Sequence, residues 1–474
     1  MDTTLARLDR IPVSRPHRRL LFQGGLGYLF DSMDGAVVSL IVAFVLVPKW
    51  ALTTGETGLL VSSGLWGFAV GAIIAGQIAD RVGRKAVMMY ALLFYSVFTV
   101  IAAFSASWDM FFWCRVLAGV GLGAESAIVA PFVSEFMPAK SRGRLVGCLT
   151  VFFAIGFIGA ALLTKWFVTV QSGVFGLEGW QIIQIITALP VVLLLVWRRI
   201  LPESPRFLLA KGRVAEADAV VARFESEYEK ASGRSLPPVA GGSGQTEVLE
   251  QEATKRVGFV ASIVSLFNGF DMARRTVVVS LIWLVVTFAF YGFTLWLPSL
   301  YALHKAATLD SILNVILLVY VAQLPGYLSA ALLSDKVDRK WTAAFSMAGA
   351  LIGCAGLIAF PSQGGLATAS AMLLSFFLTG AYASLYSFTP ELFPTRVRAT
   401  GTSVATAVGR VGGIVAPNLI PLFVSGTSFQ GVFWLLGGVL LAGAVVIATA
   451  GDSTSGHTLE ELNEASGRAS RALA

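Results

Sequence analysis

Gly76-Gln-Ile-Ala-Asp80-Arg81-Val-Gly-Arg84-Lys85 stands between two apolar runs, and Ala331-Leu-Leu-Ser-Asp335-Lys336-Val-Asp-Arg339-Lys340 repeats its pattern 255 residues later. A second pair keeps step, since Glu135, Pro138 and Arg142 match Glu391, Pro394 and Arg398 at an offset of 256. Two separated motifs at one offset indicate a duplicated chain. Working outward from the first motif, the apolar runs are about 20–47, 57–79, 87–105, 110–136, 145–170 and 180–201. From the second they are about 276–301, 309–334, 341–361, 366–389, 400–424 and 429–450. A bilayer crossing takes ~20 apolar residues. Runs this long predict helices, because barrel strands would be about 10 residues with strict alternation.

Composition supports the same reading. Of 474 residues, 56% are hydrophobic and 13% charged, against about 25% charged in soluble domains. An ordinary cytosolic globule, a disordered chain and a secreted disulfide scaffold are excluded. The net charge of +7 comes from 35 Lys+Arg against 28 Asp+Glu. It marks topology rather than nucleic-acid binding, because the basic residues gather in alternate loops. Arg7, Arg10, Arg15, Arg18 and Arg19 precede the first run, twelve basic residues lie between Arg198 and Arg275, and the odd-numbered loops are almost empty. The positive-inside rule then puts both termini and every even loop in the cytoplasm. The expected division is an N-tail over 1–19, a six-helix bundle over 20–201, a loop with an amphipathic helix over 202–275, a second bundle over 276–450 and a C-tail over 451–474. The N-terminus does not read as a cleavable signal. The three cysteines and three histidines show no metal-ligand spacing. No nucleotide-binding signature or nucleophile–base constellation is visible, so no cofactor, no metal and no enzyme activity are expected. A duplicated bundle with a seam between its halves is an architecture of alternating-access transporters.

The two loop motifs resemble the major facilitator signature. Arg115-x-x-x-Gly119-x-Gly121, Glu135 with Arg142-Gly-Arg144, and Pro202-Glu203-Ser-Pro205-Arg206 resemble its sugar-porter-like branch. Phe30-Asp31-Ser-Met-Asp34, Tyr291-Gly-Phe-Thr-Leu-Trp296-Leu-Pro298, Ala322-Gln323-Leu-Pro325-Gly326-Tyr327 and Gly409-Arg410-Val-Gly412-Gly413 narrow it further. These are similar to bacterial niacin (nicotinate) transporters, relatives of the organic-ion carriers and synaptic vesicle 2 proteins. The expected fold is thus an all-α membrane protein, twelve transmembrane helices in two pseudo-symmetric six-helix bundles. Asp80, Arg81, Arg84, Glu135, Arg142, Asp335, Arg339, Glu391 and Arg398 are expected to form charge pairs that make and break at the cytoplasmic mouth. The alternative is that these charges only set topology.

Five ionisable residues fall inside spans: Asp31, Asp34, Arg115, Glu125 and Arg410. A charge at the midplane costs roughly 2.5–3.5 kcal/mol on insertion scales, so each is a functional candidate. Asp31 and Asp34 are one turn apart, and two close carboxylates in low dielectric resist double ionisation, which suits reversible protonation. The resemblance to proton-coupled sugar porters implies that Asp34 works against Arg115; a static ion pair is the alternative. Glu125 is the rival proton carrier. Arg410 lies twelve residues beyond Arg398, ~18 Å along a helix, with Gly409, Gly412 and Gly413 leaving room beside it. Its fork suits a carboxylate, and in the organic-ion carriers resembled here this position is Arg in anion carriers. The alternative is an ion pair with Glu125 or Asp34. Tyr28, Tyr291, Trp296, Tyr382 and Tyr386 can stack a flat ring, and Gln323 and Asn314 can hydrogen-bond it, unless they only pack helices.

The expected function is secondary active transport by alternating access, as proton-coupled uptake of a small aromatic carboxylate, nicotinate first. The expected setting is the bacterial inner membrane, as a monomer, with a small-molecule substrate and protons as partners, and no nucleic acid. The rivals are an organic-cation or sugar transporter on the same fold, or a non-transporting membrane receptor.

Overall fold

The computed structural model describes residues 2–138, 141, 145, 147–170, 173–174, 176–192, 201–236, 263–302, 308–333, 337–361, 363–393, 397–426 and 429–453. Eleven helices among the described residues are long and apolar enough to cross a bilayer. In the order of the twelve expected runs, they are spans one to five, Arg15–Trp50, Thr54–Gly76, Arg84–Ala103, Trp108–Ser134 and Val151–Thr169. Spans seven to twelve are Phe270–Ala302, Leu309–Ala330, Arg339–Ala359, Gly364–Glu391, Thr400–Phe423 and Phe429–Ala450. Span six is the apolar helix Gly179–Val192, and 193–200 lie outside the described residues. Span one begins before its apolar run because Arg15, Arg18 and Arg19 extend its N-terminal end, where long cationic side chains reach water. A two-residue antiparallel pairing, Gly173–Val174 with Leu177–Glu178, precedes span six.

The chain divides into two compact units, Met1–Ile41 with Ser63–Glu250, and Val42–Ser62 with Gln251–Ala474. Within the first, span one packs on span five, and span three on spans four and six. Spans two and four meet backbone to backbone. A Cβ on Gly67 or Gly71 would fall within 2 Å of the Val116 or Val120 carbonyl oxygen. Such small-residue seams replace the hydrophobic drive that lipid removes.

The second unit repeats the pattern. Span seven packs on eleven, nine on ten and twelve, and eight on ten. Val42–Ser62 belongs here because Asn418 donates to Ser62 Oγ at 2.9 Å and Gly58 packs against the Pro417 carbonyl. Prolines interrupt spans seven and eleven at Pro298, Pro417 and Pro421. Each lacks an N–H, which strands the carbonyl four residues earlier. The indole of Trp296 donates to the stranded Pro417 oxygen at 2.9 Å, and the Tyr320 hydroxyl donates to the stranded Thr294 carbonyl oxygen at 3.5 Å.

The 1–19 region is helical over Asp2–Asp9. Leu8 and Ile11 share a core cluster with Val221 and Phe224 of the loop helix Val214–Ser232. The rest of the central loop, 237–262, and the tail 454–474 are outside the described residues.

Candidate functional site

In the first unit, Asp34 of span one faces Arg115 of span four. Arg115 Nη1 donates to Asp34 Oδ1 at 3.0 Å, and Nη2 closes the fork on Oδ2. The side chains are 1% and 2% exposed, so this is a buried bidentate pair. A third partner, absent from the expectations, is Tyr95 of span three. Its hydroxyl lies 3.0 Å from Asp34 Oδ1 and 2.8 Å from the Thr187 carbonyl of span six. One aspartate thereby joins spans one, three, four and six.

The two aspartates divide between different partners. Asp34 takes Arg115, while Asp31 acts electrostatically on Glu125. Glu125 is fully buried and neither carboxyl oxygen has a hydrogen-bond partner among the described residues. It fits only because residue 27 is glycine, since a Cβ there would sit 2.0 Å from Glu125 Oε1. Tyr28 is buried beside it in sequence and stacks on Phe153 at 4.6 Å between ring centroids.

In the second unit, Arg410 Nη1 donates to the Tyr291 hydroxyl at 2.9 Å. The glycines flanking Arg410 do not hold open space. Gly409 abuts Trp283, Gly412 the Leu284 carbonyl and Gly413 the Tyr291 ring. They let span seven approach span eleven closely enough to set Tyr291 against the guanidinium. From Tyr291 the contacts run on to Tyr382, whose hydroxyl lies 3.3 Å from that of Tyr386. Phe290 stacks on Tyr382 at 5.0 Å. Trp283 meets Tyr386 and Tyr382 edge-on at 5.1 and 5.7 Å and is oriented by donating to Thr389 Oγ1 at 2.8 Å. Arg410 is thus set at the rim of an aromatic box drawn from spans seven, ten and eleven. Gln323 of span eight is fully buried, with both amide atoms unpartnered among the described residues.

The remaining expected residues are placed apart from the box. Trp296 is buried and its single donor serves Pro417. Asn314 is exposed and donates to Asp310 Oδ2 at 3.2 Å. At the loop motifs, Arg84 pairs with Glu135 at 3.5 Å, and Arg339 with Glu391. Positions 84 and 339 are 255 apart, and 135 and 391 are 256 apart, so the duplication has kept one ion pair twice. Glu135 also accepts from Ser204 Oγ, and Arg398 Nε donates to the Phe393 carbonyl at 3.3 Å. Arg81 is exposed. Arg142, Asp335 and the side chain of Asp80 lie outside the described residues.

Trp283, Phe290, Tyr327 and Tyr95 escaped the sequence reading. For three of them a usable signal existed. Trp283 and Phe290 are seven apart and so share a face of span seven, and Tyr327 is one turn beyond Gln323. Tyr95 has no such cue.

Two helical bundles with buried charges and an aromatic box define a membrane carrier of small molecules. The chain belongs to the Sugar (and other) transporter family, whose pattern matches residues 25–465, a family of transporters and not of enzymes. It is 36% identical over 462 residues to the niacin transporter NiaP of Acinetobacter baylyi, covering 97% of this chain and 99% of that one. It is 34% identical to the putative niacin/nicotinamide transporter NiaP of Bacillus subtilis, covering 95% and 99%. Its fold is the major facilitator fold. The inward-open xylose transporter XylE of E. coli superposes with a TM-score of 0.71 at 20% identity, covering 95% of this chain and 99% of that structure.

Proposed function

We propose that the protein is a proton-coupled importer of a small aromatic monocarboxylate, with nicotinate as its substrate, working by alternating access as a monomer in the bacterial inner membrane with both termini cytoplasmic. The observation that carries this reading is Arg410 beside Tyr291 at the rim of the Trp283–Phe290–Tyr382–Tyr386 box. A guanidinium matches a carboxylate bidentately. The rings match a flat heteroaromatic, at ~0.5–1.5 kcal/mol per stacked or edge-on contact. The names of the two relatives support nicotinate. The Asp34–Arg115 pair supplies the proton-binding group, with Glu125 as its rival, and the Arg84–Glu135 and Arg339–Glu391 pairs serve as cytoplasmic latches.

The test is substrate uptake by Arg410 variants in proteoliposomes. A charge-assisted contact is worth about 1.5–3 kcal/mol, so Arg410→Gln should lower the apparent affinity for nicotinate roughly ten- to a hundred-fold. Arg410→Lys, which keeps the charge and loses the fork, should fall between that variant and the wild type. The uncharged amide should be affected less than the acid. Equal losses for acid and amide, at normal protein yield, would assign Arg410 to a structural role instead.

A further inference from the structure

The helical ladder of span eight skips at Ala322, between Leu309–Val321 and Gln323–Leu333, although Ala322 itself keeps helical φ −63° and ψ −16°. Pro325 follows and withholds an N–H, which strands the carbonyl four residues earlier. Just past this point stand Gln323 and Tyr327, one turn apart and on one face. They are 0% and 1% exposed, and the Gln323 amide oxygen, its amide nitrogen and the Tyr327 hydroxyl all lack partners among the described residues. Each unmet buried polar group is destabilising, because it has given up water without gaining a partner. A Leu and a Phe would remove that cost at the same volume, so the pair calls for a ligand group to complete it.

The place is the same box. The Tyr327 hydroxyl lies within electrostatic range of those of Tyr291, Tyr382 and Tyr386, and Tyr291 holds Arg410. Gly326 lets this turn press onto span ten, where a Cβ would sit 2.4 Å from the Phe376 carbonyl and 2.1 Å from Thr379 Oγ1. The position of Gln323 and Tyr327 is therefore set by backbone contact and not by their own side-chain bonds.

We propose that Gln323 and Tyr327 are specificity-determining residues that read the ring nitrogen of a pyridine carboxylate. This rests on the assignment of the carboxylate to Arg410. The amide Nε2 and the phenol both donate, and a pyridine nitrogen presents one in-plane acceptor at the ring edge. That nitrogen accepts from one of the two donors, whereas a benzene ring offers only C–H there and leaves both unpaired. Sites that hydrogen-bond a substrate atom reject analogues lacking it far better than apolar pockets reject a methylene.

The experiment is competition of labelled nicotinate uptake by unlabelled nicotinate, nicotinamide, benzoate and 4-hydroxybenzoate, in wild type, Gln323→Leu and Tyr327→Phe. Wild type should prefer nicotinate to benzoate by at least about tenfold. Each variant should weaken nicotinate while leaving benzoate unchanged or tighter, collapsing the preference. Melting temperatures should hold or rise, because unmet polar groups are gone; a fall in melting temperature with parallel losses for both acids would place the pair in helix packing and overturn the inference. A wild-type preference for 4-hydroxybenzoate over nicotinate would also overturn it, since the pair would then read a ring hydroxyl. Both of those results leave the carboxylate reading at Arg410 intact. Competition by amides but by none of the acids would sink both.

Discussion

Tyr95 carries one hydroxyl proton and stands between two acceptors, Asp34 and the Thr187 carbonyl. With Asp34 ionised, that proton can serve the carboxylate. With Asp34 protonated, the acid can donate to Tyr95, whose own proton then turns to Thr187, and the Arg115 fork loses its charge partner. A proton taken up at Asp34 would thus change bonds among spans one, three, four and six, and a coupling site needs such a change in contacts between states. Among the described residues, Tyr95 of span three and Arg115 of span four bond to Asp34, and Asp31 stands one turn away on span one. Glu125 has no hydrogen bond to exchange among the described residues. Asp34→Asn should therefore abolish concentrative uptake while preserving counterflow exchange, and Glu125→Gln should leave accumulation largely intact. Removing one partner of a buried pair costs ~3–5 kcal/mol, so retained exchange doubles as the folding control. Accumulation by Asp34→Asn together with its loss in Glu125→Gln would transfer the role to Glu125. The charged members of this site were legible in the sequence because a charge stands out against an apolar run. Tyr95 was not, since one aromatic among 33 Phe, 11 Trp and 10 Tyr is distinguished only by its neighbours.

Helices and their breaks were legible to differing degrees. Apolar length located the spans within about two turns, whereas the docking of the N-terminal helix was invisible, because its partner lies more than 200 residues away. Arg7 forks onto Glu225 at 3.2 and 2.6 Å, Arg10 reaches the same carboxylate at 2.7 Å, and Thr4 donates to Asp218 at 2.7 Å. The Arg7 hydrogen bond, joined by Arg10, holds the Glu225 carboxyl below its ordinary 4.5. A depressed carboxylate stabilises the docked form fully above its unfolded value, and that contribution is lost as pH falls through the folded value. The Asp2–Asp9 helix should stay docked at neutral pH and loosen only in acid below 4.5. Hydrogen exchange at residues 2–9, corrected for the intrinsic effect of pH, should rise in that window. Glu225→Gln should bring the same rise at neutral pH. Exchange that is flat down to about pH 3 would mean that Leu8 and Ile11 hold the helix by packing alone.

At the scale of the whole chain, the duplication has preserved positions more faithfully than solutions. Spans three and nine start at equivalent residues, Arg84 and Arg339, and each leaves N–H groups to be met at its first turn. Span nine is capped by its own Asp338, whose Oδ1 accepts from Lys340 N at 3.0 Å and whose Oδ2 accepts from Ser453. Span three has Gly83 at the matching place, and its cap comes from elsewhere: Glu203 Oε1 accepts from Arg84 N and Lys85 N at 3.2 and 3.3 Å. The repeated charges announced the fold, but the exchange of a local cap for a distant one could not be read from pattern alone, because Gly83 looks like any loop glycine. The backbone explains why the two copies cannot be swapped. Gly83 has φ +110°, where a side chain is strained, and a Cβ there would meet Glu203 Oε2 at 2.4 Å. Gly83→Asp should therefore destabilise the protein by about 1–3 kcal/mol, even though it copies the residue used in the other half. The reverse change, Asp338→Gly, should cost only a few tenths of a kcal/mol, as glycine itself tolerates the capping position. Thermal unfolding of the purified protein in one detergent separates the two. A Gly83→Asp variant that melts with the wild type would mean that span three can take a local cap, and that Glu203 is dispensable for its start.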